Sequence, residues 1–274
     1  MSDANDQASP KLAPEDAYLS YYDVRLTKED VDSIKKGDWL TDNAISFWEE
    51  YLEHETLKKY PGTRITLLRP TMCQLLRLTP DPLSLKTALP DLTNTTHIFL
   101  PVNNSTNPEI PESGSHWSLL VVSVLDGVAF HYDSLGSDNE LFASLTCEKL
   151  ATLLGKCLRF VGMRDAPQQE NGSDCGVFVC KVMEKLLTER LLKVNNKDKV
   201  SMNLKGRGID ARTGRKEMMK TIEGFRREGE RRRSRSRSPG GGRSSEKSSP
   251  PRIGAEQEEE RERERERDGL WTKR

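Results

Sequence analysis

Cys175 is placed for nucleophilic chemistry. It falls within Gln169-Glu170-Asn171-Gly172-Ser173-Asp174-Cys175-Gly176, with a glutamine six residues ahead of it. An apolar helical pattern follows, with Val179, Met183, Leu186 and Leu187 at spacings of three and four. Ser173 and Asp174 are N-capping residue types, so the spacing predicts Cys175 in or beside the first turn of a helix. Unpaired N–H groups and the positive end of the helix dipole favour a thiolate there. A nearby histidine strengthens that effect, drawing a cysteine several units below its free pKa of about 8.5.

A thiolate nucleophile needs a base, a group to orient the base and donors for the oxyanion. The chain holds four histidines. His54 lies at the charged end of a helical pattern, His97 starts an apolar strand, and His131 sits between Phe130 and Tyr132 in another. His116 leads Trp117 at a loop-to-strand junction, the kind of position that opens onto a cleft, and is the best candidate for the base. Asp133 ends the second strand of the hairpin that Trp117 begins, and is the candidate orienter. An Asp126-Gly127 two-residue loop would set Asp133 opposite Leu120, and a four-residue loop 124–127 with Gly127 left-handed would set it opposite Ser118. Both registers place His116 and Asp133 on one face, and a three-residue loop would separate them. The four-residue loop makes them diagonal neighbours and is preferred. Gln169 offers a neutral amide to an oxyanion, with the Cys175 N–H as second donor. Taken singly, each has an ordinary structural reading: a small buried cysteine, a packed His-Trp pair, a turn aspartate. The ordered set carries the chemistry.

The positioning elements read as follows. Val24 to Leu26 are extended as part of 22–26, and Thr27 with Asp30 resembles a capping arrangement that opens a helical turn. Residues 40–54 carry a broad apolar face on a helix capped by Thr41 or Asp42. Residues 65–68 predict a strand, 72–77 a helix, 97–102 a strand, and 117–124 with 128–132 a hairpin. A helix over 139–154, a strand over 157–161, the helix from Cys175 to about Lys193 and an amphipathic segment over 215–227 complete a mixed α+β domain. In that last segment Met218, Met219, Ile222 and Phe225 form the apolar face.

The whole chain has 274 residues, 34% hydrophobic and 31% charged, with a formal net charge of +0. No global basic field argues for nucleic acid, and no apolar run approaches the roughly 20 residues that span a bilayer. Residues 1–14 read as a flexible leader without a signal-peptide core. Five cysteines without metal-type pairing fit a reducing compartment, cytoplasm or nucleus, and no metal or cofactor is expected. Residues 229–274 read as a disordered tail: an Arg-Ser tract over 231–239, three glycines and a Glu-Arg run over 258–267. Its functional reading is a nuclear address or a weak RNA- or kinase-contacting arm, tunable by phosphorylation of Ser234, Ser236 and Ser238.

Three blocks in this order, 116–120 (His-Trp-Ser-Leu-Leu), 130–134 (Phe-His-Tyr-Asp-Ser) and 169–176, together with Gly37-Asp38-Trp39-Leu40-Thr41-Asp42, resemble the signature of the ubiquitin-like-protein (Ulp, sentrin/SUMO-specific) cysteine proteases. The compact size and Leu19-Ser20-Tyr21 look closest to the deneddylase branch of that family. The resemblance covers about residues 18–228 and implies a papain-like α+β fold over a domain at 15–228, its central mixed or antiparallel sheet flanked by helices. It implies Cys175 as nucleophile, His116 as general base and acid, Asp133 as orienter and Gln169 as oxyanion donor. Trp39 and Trp117 match tryptophans that line a slot over a Gly-Gly tail, and Asp42 matches a position that contacts the modifier's tail.

The activity so implied is a thiol isopeptidase acting after the Gly-Gly of a ubiquitin-like modifier, Nedd/Rub first and SUMO second, by deconjugation or precursor processing, as a monomer without membrane contact. Two other readings share the fold: acyl transfer to a thiol, which the tryptophan pair disfavours, and a non-catalytic modifier-binding module, which an intact catalytic set disfavours.

Overall fold

The computed structural model describes residues 12–107, 113–193, 200–236 and 250–254. At its centre is a five-stranded mixed sheet in the order β3-β4-β5-β6-β7, built from Ile65–Leu67, His97–Asn103, Trp117–Ser123, Val128–Tyr132 and Arg159–Gly162. The middle pairs are antiparallel, and the outer strands β3 and β7 run parallel to their neighbours. Every residue of β5 is buried, which requires cover on both faces. Alternation along the strands divides the apolar residues accordingly. Phe99, Trp117, Leu119, Val121 and Tyr132 join one core with helices α2 (Asp42–Tyr51) and α5 (Cys175–Lys185). Ile98, Leu100, Leu120, Val122 and Ala129 join the other with α3 (Pro70–Leu78) and α4 (Glu140–Leu154). The result is a mixed sheet flanked by helices on both faces, the α+β arrangement expected from the sequence.

The caps at the first helices follow local chemistry. Thr27 and Asp30 form a full capping box at α1 (Lys28–Lys36), and the Thr41 hydroxyl caps α2 through the Ala44 N–H. Gly37 ends α1 in the left-handed conformation, φ 76°, which turns the chain out toward Asp38 and Trp39.

Three regions differ from the sequence reading. Residues 22–26 are not one extended piece: β1 (Ala17–Tyr21) and β2 (Val24–Thr27) form a hairpin turning at Tyr22-Asp23. Tyr22 carries φ +47° without the Gly or Asn that would signal such a turn, and its ring stacks on His54 at 3.3 Å. The amphipathic segment is longer than 215–227, since α6 spans Ala211–Ser236 and enters the Arg-Ser tract. Its last turns carry the i,i+4 pairs Arg226–Glu230 and Glu228–Arg232, which support an exposed helix. Residues 250–254 also lie against the domain: β8 (Arg252–Ile253) pairs parallel to β1, making a second sheet β2-β1-β8. The expected tail boundary at 229 therefore falls inside α6. Residues 1–11 of the expected leader at 1–14 and the remaining expected tail, 237–249 and 255–274, lie outside the described residues, as does the Glu-Arg run. Among the described residues no helix is long and apolar enough to cross a membrane.

Candidate active site

The β5–β6 hairpin sets the geometry of base and acid. Its ladder pairs Leu119 with Tyr132 and Ser123 with Val128, leaving the four-residue loop 124–127 in which Gly127 is left-handed, φ 63°. Continued by one step, this register puts Asp133 across from Ser118, the diagonal arrangement preferred from the sequence. His116 Nε2 and Asp133 Oδ1 are 2.6 Å apart, with both side chains almost fully buried.

Asp133 is held from several directions. Its carboxylate accepts the Leu135 N–H at 2.9 Å and the Asn139 N–H at 2.8 Å, and its carbonyl accepts from the Gln168 amide at 2.8 Å. Burial alone would raise its pKa, but His116 and those two N–H groups outweigh burial and hold it below the usual carboxylate value. For His116, burial acts to lower the pKa. The Asp133 hydrogen bond, the neighbouring Cys175 and the Asp133 charge overcome it and raise the value to about 9. Nδ1 of His116 is buried and has no hydrogen-bond partner among the described residues. With Nε2 committed to Asp133, that free nitrogen is the one available to the Cys175 thiol.

Cys175 begins α5 as its first residue, buried at 1% exposure. The sequence places the thiol correctly but misjudges the cap. Asp174 occupies the capping position, yet among the described residues no side chain caps the first turn of α5. The Asp174 carboxylate pairs instead with Arg215 of α6 at 2.7 Å, and the Asn171 side chain accepts the Ser173 and Asp174 N–H groups, each at 3.0 Å. The N–H groups of the first turn of α5 thus have no side-chain acceptor among the described residues. Gly176 follows because nothing larger fits: a Cβ there would stand 2.8 Å from Cβ of Leu40.

The cleft at this helix end is lined by Trp39, Asp42, His116, Trp117 and Cys175. Trp117 is buried and donates its indole N–H to the Leu40 carbonyl at 3.2 Å. Trp39 stands at the rim, 48% exposed, and donates to the Gly172 carbonyl at 2.5 Å. Both indoles thus line the cleft with their N–H groups committed, one to the nucleophile loop and one to the chain beside Trp39. Asp42 opens α2, and burial raises the pKa of its carboxyl.

Gln169 is not among the residues lining that cleft. Its side-chain oxygen accepts from Ser134 at 2.6 Å, and its amide donates to the Asn171 carbonyl at 2.6 Å. The side chain is thus stationed on the nucleophile loop and linked directly to Ser134, the residue after Asp133. The Asn171 carbonyl takes one of the two N–H groups of this amide, and the second is the donor it would offer an oxyanion.

The remaining histidines are occupied elsewhere. His131 bonds Ser118 at 2.9 Å, and burial lowers its pKa to about 4; His54 stacks on Tyr22, and burial lowers the pKa of His97. Sequence reasoning missed Asn139, Gln168 and Arg215. Asn139 is fully buried, and its amide reaches the carbonyls of Val102 and His116 and the Ser118 hydroxyl. An asparagine opening a helix is an ordinary start signal, and nothing in its spacing distinguishes this one.

A sequence model described as the Ulp1 protease family, C-terminal catalytic domain, matches residues 38–208. The chain is 40% identical over 209 residues to NEDD8-specific protease 2 of Schizosaccharomyces pombe, covering 75% of this chain and 50% of that protein. It is 32% identical over 188 residues to sentrin-specific protease 8 of Homo sapiens, covering 64% of this chain and 87% of that one. The chain thus spans about half the length of the fission-yeast relative, and 39% of a second one, NEDD8-specific protease 1. The fold matches the C-terminal Ulp1 protease domain solved in complex with Smt3, the yeast ortholog of SUMO, with a TM-score of 0.54, 20% identity, and coverage of 78% of this chain and 89% of that one.

Proposed function

The chain belongs to the Ulp1 protease family, and on that premise we propose that it is a thiol isopeptidase cleaving after the C-terminal Gly-Gly of a ubiquitin-like modifier of the NEDD8 (Nedd/Rub) type. The observation that carries the reading is the His116–Asp133 contact of 2.6 Å beside Cys175, with the second imidazole nitrogen left free.

The steps follow from the residues. His116 takes the Cys175 proton at Nδ1, and the resulting imidazolium is stabilised by the Asp133 carboxylate. The thiolate sulfur attacks the carbonyl carbon of the terminal glycine, and the oxyanion that forms is received by the Cys175 N–H and the Gln169 amide. His116 returns its proton to the departing lysine amine or peptide nitrogen as the C–N bond breaks. Water, deprotonated by the same ring, then hydrolyses the thioester. The slot between Trp39 and Trp117 selects for residues without side chains, and glycine alone lets a backbone approach that closely. Asp42 lines the same cleft and supplies a carboxyl to meet the tail.

NEDD8 is favoured over SUMO because the relatives of higher identity are named as NEDD8-specific proteases, at 40% and 38%. Human sentrin-specific protease 2 is only 26% identical over 183 residues. The decisive experiment treats the full chain with NEDD8 or SUMO carrying a C-terminal electrophile. A covalent NEDD8 adduct at Cys175, absent in Cys175→Ala, is expected. Adduct with SUMO alone would overturn the choice of modifier, and no adduct with either would end the isopeptidase reading.

For localisation, we propose that the Arg-Ser tract directs the protein partly to the nucleus. Deletion from residue 229 would truncate α6 and remove β8, so substituting the arginines of 231–237 is the cleaner test. Unchanged distribution would count against the proposal.

A further inference from the structure

Arg215 has an unusual station for an arginine. It is 8% exposed and lies beyond the 38–208 stretch that matches the family, in the second turn of α6. Its guanidinium reaches three segments at once. Nε donates to Asp174 Oδ1 at 2.9 Å, Nη1 to the Ser33 carbonyl at 3.0 Å, and Nη2 to the carbonyls of Asp38 at 2.8 Å and Ser173 at 3.0 Å. Ser33 lies in the last turn of α1, whose carbonyl end attracts a cation. Asp38 precedes Trp39 of the cleft rim, and Ser173 and Asp174 precede Cys175. A planar fork can hold such a set of acceptors in fixed relation; an ammonium cannot.

The preceding residue explains how α6 comes so near. A Cβ at Gly214 would stand 2.9 Å from Val177 Cγ1 and 3.2 Å from Lys181 Cγ, both on α5. The helices therefore cross at a spacing that only glycine permits, and Arg215 lands at the start of α5.

We propose that Arg215 is a positioning residue for the active site: it fixes the nucleophile loop against the Trp39 wall and neutralises the Asp174 carboxylate beside the reacting thiol. The first role works with the Trp39–Gly172 hydrogen bond of 2.5 Å, so that two bridges span the same gap, one at the rim and one beneath it. The second role is electrostatic. An unpaired carboxylate on the residue before Cys175 would disfavour the thiolate that α5 is placed to stabilise. Among the described residues, the other titratable groups at the cleft are His116 with Asp133 behind it and Asp42 from α2, and the substitutions below alter none of them. The inference rests on the isopeptidase reading for its meaning, but its test does not depend on that reading.

The experiment uses the full chain in a Cys157→Ser background, because Cys157 is the exposed cysteine. Alkylation of Cys175 by iodoacetamide is followed across pH by peptide mass spectrometry, and kcat and KM are measured on a NEDD8 tail reporter. Arg215→Ala is expected to move the midpoint of the alkylation profile upward by roughly half a unit to one unit, and Arg215→Ala with Asp174→Asn to bring it back. Arg215→Lys keeps a positive charge without the fork. It should hold the profile near that of the parent chain while kcat falls about tenfold, with KM within about twofold. A role confined to holding α6 in place would lower the melting temperature and leave the profile unmoved.

A folded Arg215→Ala chain with the parent profile, or Arg215→Lys with the parent kcat, overturns the proposal. Should Arg215→Ala not fold, Asp174→Asn alone decides the electrostatic part: the midpoint should move to lower pH, and an unmoved midpoint refutes it. A chain that turns over no modifier would sink the isopeptidase reading, while the alkylation profiles would still judge Arg215.

Discussion

Asp133 holds His116 through Nε2 at 2.6 Å and leaves Nδ1 to the thiol. The hairpin register, not the local sequence, makes this possible. A loop one residue shorter would turn Asp133 to the other face of β6.

The pair sets a pH dependence. His116 is raised to about 9 by Asp133 and Cys175 against the opposing effect of burial, so the imidazolium needed to protonate the leaving amine persists to that pH. The alkaline limb of kcat/KM is expected near 9, and Asp133→Asn should move it toward the ordinary histidine value of about 6.5 while lowering kcat by about 10²–10⁴. Stability follows the same shifts. A raised histidine stabilises fully below about 6.5, and that contribution is lost as pH rises through about 9. A lowered aspartate stabilises above about 3.9, and that contribution is lost as pH falls through its depressed folded value. Melting temperature against pH should therefore decline on the alkaline side in the native chain. An Asp133→Asn chain with the same alkaline decline would refute the assignment.

Asn139 supports the same pair from behind. Its backbone N–H binds Asp133, and its amide binds the carbonyls of Val102 and His116. Asn139→Ala leaves buried acceptors unpaired and is expected to cost about 1–3 kcal/mol. Asn139→Asp should be worse in both stability and kcat, because it sets a carboxylate against two carbonyls and beside Asp133. Chemical denaturation and turnover of the two variants check the order, and an Asp variant as stable as the native chain would contradict this role.

Gly176 makes a sharper case. A side chain there meets Cβ of Leu40 at 2.8 Å, and the Leu40 carbonyl is the acceptor for Trp117. Gly176→Ala should separate α5 from the cleft wall, costing about 1–3 kcal/mol and about tenfold or more in kcat/KM through misplacement of the thiol. Pairing it with Leu40→Ala should recover part of the loss; no recovery would place the strain elsewhere.

The legible parts of this molecule are those encoded within a few residues. Gly127 closes the hairpin at the register the strand pattern demands, and Thr27 with Asp30 announces α1. Cys175, His116 and Asp133 were nameable from their residue types and order, and Trp39, Asp42 and Trp117 from the family resemblance alone; the fold brings them to one cleft and its immediate backing. What escaped depends on distant partners. Asp174 reads as a cap, yet Arg215, 41 residues later, claims its carboxylate. β8 pairs through only two residues with a strand near the other end of the chain, and no period is visible in so short a segment. The run past Gly229 looked like a tail by composition, but arginine and glutamate are good helix formers, and their i,i+4 pairs extend α6 to Ser236.

Gln169 yields the last prediction. Its side-chain oxygen is fixed by Ser134 and its amide rests on the Asn171 carbonyl, so its conformation is set before substrate arrives. An oxyanion donor acts in the transition state and contributes little to ground-state binding. Gln169→Ala should therefore lower kcat by about 10²–10³ with KM nearly unchanged. Gln169→Glu, which keeps the shape but turns a donor toward an acceptor, should lower it further. Alkylation of Cys175 by iodoacetamide develops no such oxyanion and should be unaffected by Gln169→Ala. If alkylation fell in parallel with kcat, Gln169 would be shaping the nucleophile loop and not receiving the oxyanion, and the Cys175 N–H would then have to serve with another donor.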